Sequence, residues 1–176
     1  MDETGSKAGS AMAKEIERKF LVSTDGWKSA VSKVTALQQA YIASMDDRSV
    51  RVRIMNNERA RLTIKIGTGT MTRDEFEYDI PLNDAVDLLP LAIGIVLEKT
   101  RYEVRHAGFV WEVDVYGGAY KGLVIAEVEL SDETDAPALP GWLGREVTGD
   151  QRYSNQWLAT DAAVEDVANG LSTRSL

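Results

Sequence analysis

The stretch Ala13-Lys14-Glu15-Ile16-Glu17-Arg18-Lys19-Phe20 decides how the rest of the chain is read. In an extended strand, neighbouring side chains point to opposite faces, so Glu15, Glu17 and Lys19 project together and Ile16, Arg18 and Phe20 form the mirror face. Two carboxylates and an ammonium on one face make a candidate metal-phosphate site, and the mirror face is apolar enough to pack.

The pattern returns along the chain. In Ser49-Val50-Arg51-Val52-Arg53-Ile54 the arginines share one face and the aliphatics the other, and in Leu62-Thr63-Ile64-Lys65-Ile66 Lys65 stands opposite aliphatics. Asp74-Glu75-Phe76-Glu77-Tyr78 separates Glu75 and Glu77 from Phe76 and Tyr78, and Leu97-Glu98-Lys99-Thr100-Arg101-Tyr102 sets Lys99 beside Arg101. Trp111-Glu112-Val113-Asp114-Val115 and Ala126-Glu127-Val128-Glu129-Leu130 add acidic pairs. An antiparallel sheet with one solvated face would show apolar/polar alternation too. Its polar face, however, would mix Thr, Ser, Gln and both charges. Here acids (Glu15, Glu17, Glu112, Asp114, Glu127, Glu129) and bases (Arg51, Arg53, Lys65, Lys99, Arg101) are segregated by strand, as expected if they converge on a ligand.

Closure into a barrel with that face inward removes the exposed sheet edges and leaves the aliphatic faces to be covered from outside. Carboxylates about 6 Å apart repel by roughly 3 kcal/mol at an effective dielectric near 20. An acidic cluster inside a barrel therefore needs cations or raised pKa values. An all-carboxylate donor set without Cys or His suits the hard ions Mg2+ or Mn2+. The facing bases would hold the anion that such a metal bridges, and phosphate chains fit both partners.

Composition agrees. A chain of 176 residues with 44% hydrophobic residues and four prolines fits one domain with a sizeable core. Net charge is −8. Nucleic acid and anionic lipid both demand a basic footprint, so neither is an expected partner, and any polyanion must enter a local basic pocket. The absence of cysteine excludes disulfides and thiolate sites and is compatible with a reducing, cytoplasmic setting. The longest apolar run, around Ala92 to Leu97, is far too short to span a membrane.

Residues 1–12 read as a flexible leader or an artificial extension, 13–160 as the folded domain, and 161–176 as a polar tail that is weakly helical or frayed. Alternation and turn signals predict strands near 14–22, 38–43, 48–55, 60–67, 74–80, 96–106, 109–116 and 122–130. Tight turns are expected at Asn56-Asn57-Glu58, Gly67-Thr68-Gly69 and His106-Ala107-Gly108. Helices are predicted near 26–35, at 83–92 with Asn83 as N-cap, around 132–138 and from about 150 to 159.

Taken together these residues resemble the CYTH domain, or triphosphate tunnel metalloenzyme, superfamily. Its Glu-x-Glu-x-Lys signature is matched by Glu15, Glu17 and Lys19. Arg51-x-Arg53, Lys65, Arg73-x-Glu75-x-Glu77, Glu98-Lys99-Thr100-Arg101-Tyr102, Glu112-x-Asp114, Glu127-x-Glu129 and Glu146-Val147-Thr148-x-Asp150-x-Arg152-Tyr153-x-Asn155 follow in family order. The first and last of these segments look most like the short bacterial inorganic triphosphatases of the superfamily. The resemblance implies a mainly β fold: a closed eight-stranded antiparallel barrel with a hydrophilic, charged lumen and a few flanking helices. It also implies divalent metal, Mg2+ or Mn2+, on Glu15, Glu17, Asp114, Glu127 and Glu129. Phosphates would be gripped by Lys19, Arg51, Arg53, Lys65, Lys99, Arg101 and Arg152. Glu15, Glu17, Lys19 and Lys99 would carry catalysis, and Glu75 and Glu77 would orient the bases.

The expected activity is metal-dependent hydrolysis of a linear triphosphate, inorganic tripolyphosphate above all, to diphosphate and phosphate. A class IV-type adenylate cyclase and a thiamine triphosphatase are the enzymatic alternatives; both need an organic-group pocket, and Trp27 and Tyr41, the aromatics able to stack, read more readily as core. A non-catalytic polyphosphate- or nucleotide-binding module is the third reading, disfavoured because anion binding alone would not need both glutamate pairs. Outward-facing Val50, Val52 and Ile54 are expected to meet across a homodimer or to lie beneath helices. His106, the single histidine, belongs to a turn. Gly67-Thr68-Gly69-Thr70 lacks the Gly-Lys-Ser/Thr of a phosphate loop. Trp111, Trp142 and Trp157 are expected to pack helices on the barrel exterior, and Tyr153 and Asn155 to anchor the last helix.

Overall fold

A computed structural model describes residues 13–68 and 72–160. The readings of 1–12 as leader, of 161–176 as tail and of the turn at Gly69-Thr70 fall outside these residues. The described chain runs β1 (Ala13–Val22), β2 (Val31–Ser44), β3 (Arg48–Met55), β4 (Arg59–Ile66), β5 (Thr72–Ile80), α1 (Leu82–Leu88), β6 (Leu97–His106), β7 (Phe109–Tyr116), β8 (Val124–Glu129), β9 (Leu143–Glu146) and α2 (Asn155–Thr160), with short 3-10 turns between.

Eight strands close an antiparallel ring in the order β1-β5-β4-β3-β2-β6-β7-β8 and back to β1. β1 meets β5 through only Ala13 to Ile16, opposite Glu75 to Thr72. Its residues 17–21 pair with β8, and the free half of its other edge is taken by β9, through Phe20 with Glu146 and Val22 with Leu143. The tight turns form where expected: Asn56 and Asn57 (φ 52° and 56°) turn β3 into β4, and Ala107 and Gly108 (φ 48° and 85°) turn β6 into β7. Paired positive φ values match the right-handed strand twist, and Asn and Gly tolerate them.

Alternation then sorts the side chains. Ile16, Phe20, Val104, Trp111, Val113, Ala126 and Val128 form the outer core, covered by Trp27 and Trp142 from the connections. Val52, Ile54 and Ala60 form a second outer patch that α1 covers through Ala85, Leu82 and Leu88. On the apolar face of β3, Val52 and Ile54 thus lie beneath a helix. The aliphatic rows therefore point out of the barrel and the charged rows into it.

Lumen-facing positions turn apolar at one end. Tyr41, Leu97, Tyr116 and Ile125 share parity with the charged rows and pack against Val147, Tyr153, Leu158 and Ala159 of the C-terminal segment. α2 thus stoppers one end of the ring. Trp157 lies at the edge of this stopper, whereas Trp111 and Trp142 stack edge to face, 6.0 Å between centroids, on the exterior.

Four expectations are corrected. The helix predicted at 26–35 is a 3-10 turn (Asp25–Ala30) followed by β2 from Val31, since Val31, Val34 and Thr35 are β-branched and pair with β6. No helix forms at 132–138, where the Asp132 and Asp135 side chains bind nearby backbone N–H groups and compete with a helix. The helix at 83–92 starts from Pro81 rather than Asn83 and becomes 3-10 at Leu89–Leu91, around Pro90. The last helix splits into a 3-10 turn (Gln151–Tyr153) and α2. β9 was not anticipated. Among the described residues no helix is long and apolar enough to cross a membrane.

Candidate active site in the barrel lumen

The charged rows meet as a chain of ion pairs around the lumen. On β1 and β4, Lys65 Nζ lies 2.6 Å from Glu15 and 3.3 Å from Glu75 of β5. Lys19 reaches Glu127 on β8 at 2.8 Å and Glu17 at 3.7 Å. Arg101 of β6 contacts three carboxylates: Asp114 through Nε at 2.7 Å, Glu127 at 3.2 Å, and Glu112. Lys99 Nζ lies 2.5 Å from Asp114, both side chains fully buried, and 3.0 Å from Asn155 Oδ1. Arg51 donates to Thr63 at 3.2 Å and stands 3.8 Å or more from Glu77 and Glu75. Arg53 donates through Nε to the Gln39 carbonyl oxygen at 2.7 Å. Glu75 and Glu77 thus sit beside bases, as the orienting role requires.

Two expected residues lie apart. Arg152 is half exposed and held by Asp150 at 2.6 Å, beside the Tyr153 ring. Glu129 sits opposite Glu17 in the β1–β8 ladder but is exposed at the end of its strand. Asn155 joins the site: its Oδ1 accepts from both Lys99 and the Tyr116 hydroxyl (2.7 Å), tying α2 to the lumen. Tyr41, read from sequence as core, also lines a solvent-open cleft together with Glu15, Glu17, Lys19, Arg51 and Lys65, between the barrel wall and residues 147–156. Only the parity of Tyr41 with Gln39 on β2 signalled this. Gln39 itself, wholly buried, was missed.

Burial dominates the electrostatics, and each group's partners decide its direction. Burial disfavours charge on Glu15, but Lys65 outweighs it and keeps the carboxyl below its usual range. Glu17 is raised, by burial first and by the Glu127 charge next, against a weaker pull from Lys19. Glu127 is held well below the carboxylate range because Lys19, Arg101 and Lys99 overcome burial. Glu75 is pushed up to about 7 by burial, with Lys65 opposing and the neighbouring Glu15 reinforcing. Burial draws Lys99 down to about 8 against the attraction of Asp114. It also draws Arg53 down to about 9, with the Arg51 and Arg101 charges adding to the effect.

Glu15, Glu17 and Glu127 offer oxygen donors only, and the raised Glu17 marks a place where one more cation would be stabilising, so the donor set fits a hard divalent ion. Among the described residues no three such groups are already gathered into a metal cage. Glu15, Asp114 and Glu127 are each turned onto a lumen cation. Mg2+ commonly takes one or two carboxylates and completes its shell with phosphate and water.

Comparisons agree with this geometry. The CYTH domain family matches residues 13–156. The inorganic triphosphatase of Acetivibrio thermocellus is 49% identical over 146 residues, covering 82% of this chain and 92% of that protein. The inorganic triphosphatase of Nitrosomonas europaea is 37% identical over 150 residues, covering 82% and 96%. A crystal structure of an inorganic triphosphatase superposes with a TM-score of 0.61 at 33% identity, covering 86% of this chain and 97% of that one. A closed barrel with charged rows turned inward, matched over most of its length, establishes that the chain belongs to the CYTH domain family.

Proposed function

We propose that the protein hydrolyses a linear triphosphate, inorganic tripolyphosphate above all, to diphosphate and phosphate with the help of a divalent cation, Mg2+ or Mn2+. One observation carries the reading: Arg53 stands partly buried in the lumen with no carboxylate at salt-bridge distance among the described residues. A guanidinium drawn largely out of bulk water gains from a counter-charge, and a phosphate chain supplies it. The two relatives that share most of this chain's length, both named inorganic triphosphatases, support the substrate class.

Glu15, Glu17 and Glu127, with Glu129 and Asp114 flanking, would hold the metal, which when bound polarises phosphate oxygens and lowers the pKa of water. Arg51, Arg53 and Arg101 would bind and orient the phosphate chain. Lys19 and Lys65 would neutralise charge near the glutamates, and Lys99 would hold a proton at Nζ beside the leaving group. This work needs placement more than acid-base exchange. Arg152 would reach incoming substrate from the mouth after leaving Asp150. The lack of cysteine fits a cytoplasmic enzyme.

The test is phosphate release from tripolyphosphate, ATP and thiamine triphosphate at equal Mg2+ or Mn2+. Tripolyphosphate is expected to be preferred, and Glu15→Gln and Glu127→Gln to lose at least about a hundredfold in turnover with the fold kept. Near-normal turnover of those variants at saturating metal would remove their assignment, and a preference for ATP would move the reading towards a nucleotide enzyme.

A further inference from the structure

The lumen cations differ in what holds them. Lys19, Lys65, Lys99 and Arg101 each have a carboxylate within 2.8 Å. Arg53 is held instead by a neutral amide, the side chain of Gln39 on the adjacent strand, directly opposite it in the β2–β3 ladder. A glutamate at this position would have the same length and could accept the same hydrogen bond, but it would cancel the Arg53 charge.

The amide has a second property. An arginine Nε–H can only donate, so Gln39 must turn its oxygen to Arg53 and its NH2 group elsewhere. Among the described residues that buried nitrogen finds no acceptor, in a residue with no exposed surface. Arg51 Nε, two residues before Arg53 on β3, is buried without an acceptor as well among the described residues. Buried polar atoms in folded proteins nearly always have partners. Two unmet donors beside an uncompensated guanidinium define a place for an acceptor-only, negatively charged group.

We infer that Gln39 is a substrate-binding residue. Its oxygen fixes Arg53 without neutralising it, and its NH2 group donates to the same phosphate group that Arg53 binds. Gln39 therefore selects for a fully ionised phosphate at this depth of the lumen. The inference rests on the triphosphate reading of the site and adds to it the residue that keeps one cation free.

Two variants separate this role from a merely structural one. Gln39→Glu keeps the hydrogen bond to Arg53 but removes the N–H donor and adds a negative charge; Gln39→Met keeps the volume and removes both polar atoms. Tripolyphosphate binding is measured by calorimetry on the full chain without metal, at several salt concentrations, and KM and kcat are measured with metal.

Gln39→Glu is expected to weaken binding and raise KM by about a hundredfold, and Gln39→Met by about tenfold, with smaller changes in kcat. The salt dependence of binding should flatten in Gln39→Glu, because one fewer uncompensated charge meets the anion. Because the added charge of Gln39→Glu weakens anion binding whatever the amide does, Gln39→Met is the deciding variant: binding as tight as wild type would show that the amide donates nothing to the anion, and that outcome overturns the inference. Wild-type protein that neither binds nor cleaves tripolyphosphate ends the functional reading and this inference together. Wild-type activity with unaffected variants ends only the inference.

Discussion

Lys65 clamps Glu15 across the seam of the barrel: its Nζ donates to both carboxylate oxygens, at 2.6 and 2.9 Å. The seam itself is short, since β5 meets only the first four residues of β1. Lys65 comes from β4, one strand beyond, so the pair ties three strands together. The same lysine lowers the Glu15 pKa against burial, which keeps the carboxylate charged and available to a metal.

Replacing Lys65 with Met leaves Glu15 and Glu75 facing each other without their shared cation. Breaking one side of a largely buried pair should cost about 3 kcal/mol of stability. Urea denaturation is the measurement, and an unchanged midpoint would show that the seam does not depend on this clamp.

Asn155 offers one carbonyl oxygen to both Lys99 and Tyr116. Asn155→Ala takes that acceptor away, and the loss should amount to about 1–3 kcal/mol. Because the bond joins α2 to the lumen, amide exchange should accelerate first in residues 155–160, before the strands respond.

Gly94 lets the end of α2 approach. Its φ is +73°, and a Cβ there would lie 1.9 Å from the Ala159 carbonyl oxygen. Gly94→Ala must therefore shift α2 or strain the loop, a change expected to cost about 1–3 kcal/mol. Thermal melts of this variant should fall by several degrees, and tryptophan fluorescence should report Trp157 becoming more exposed.

Arg18 and Glu146 form a two-pronged pair on the outside, 2.9 and 2.8 Å, between β1 and β9. The hydrogen bonds from Arg18 lower the Glu146 pKa, slightly opposed by burial and helped by Thr148. A depressed carboxyl pKa stabilises the fold above the unfolded value, near 4.5, and that contribution is lost as pH falls through the folded value. Glu146→Gln should cost about 0.5 kcal/mol at pH 7 and less at pH 3, as expected for a surface pair. Equal losses at both pH values would assign the effect to packing.

Most of the site was legible because strand alternation is a strict local rule. Once Glu15, Glu17 and Lys19 share a face, so do Arg51 with Arg53 and Lys99 with Arg101, and the charge itself states which face is unusual. Tyr41 was weighed as a stacking ring and read as core, and Gln39 escaped notice, because an aromatic ring and a neutral amide on a strand look the same in sequence whether they face a lumen or a core. The segment 26–35 was misread as helix for a related reason: its charges and small residues hide a period of two that pairing with β6 enforces.

Residue order alone determined the alternating rows, the positive-φ turns at Asn56-Asn57 and Ala107-Gly108, and the inventory of acids and bases, since each depends on neighbours a few positions apart. Tertiary structure decided which cation meets which carboxylate, that Arg53 meets an amide instead, that β9 fills the free edge of β1 while α2 stoppers the ring, and that Arg152 rests on Asp150. Those outcomes depend on barrel register and closure, which bring together residues as distant in sequence as Lys19 and Glu127 and let burial set their charges.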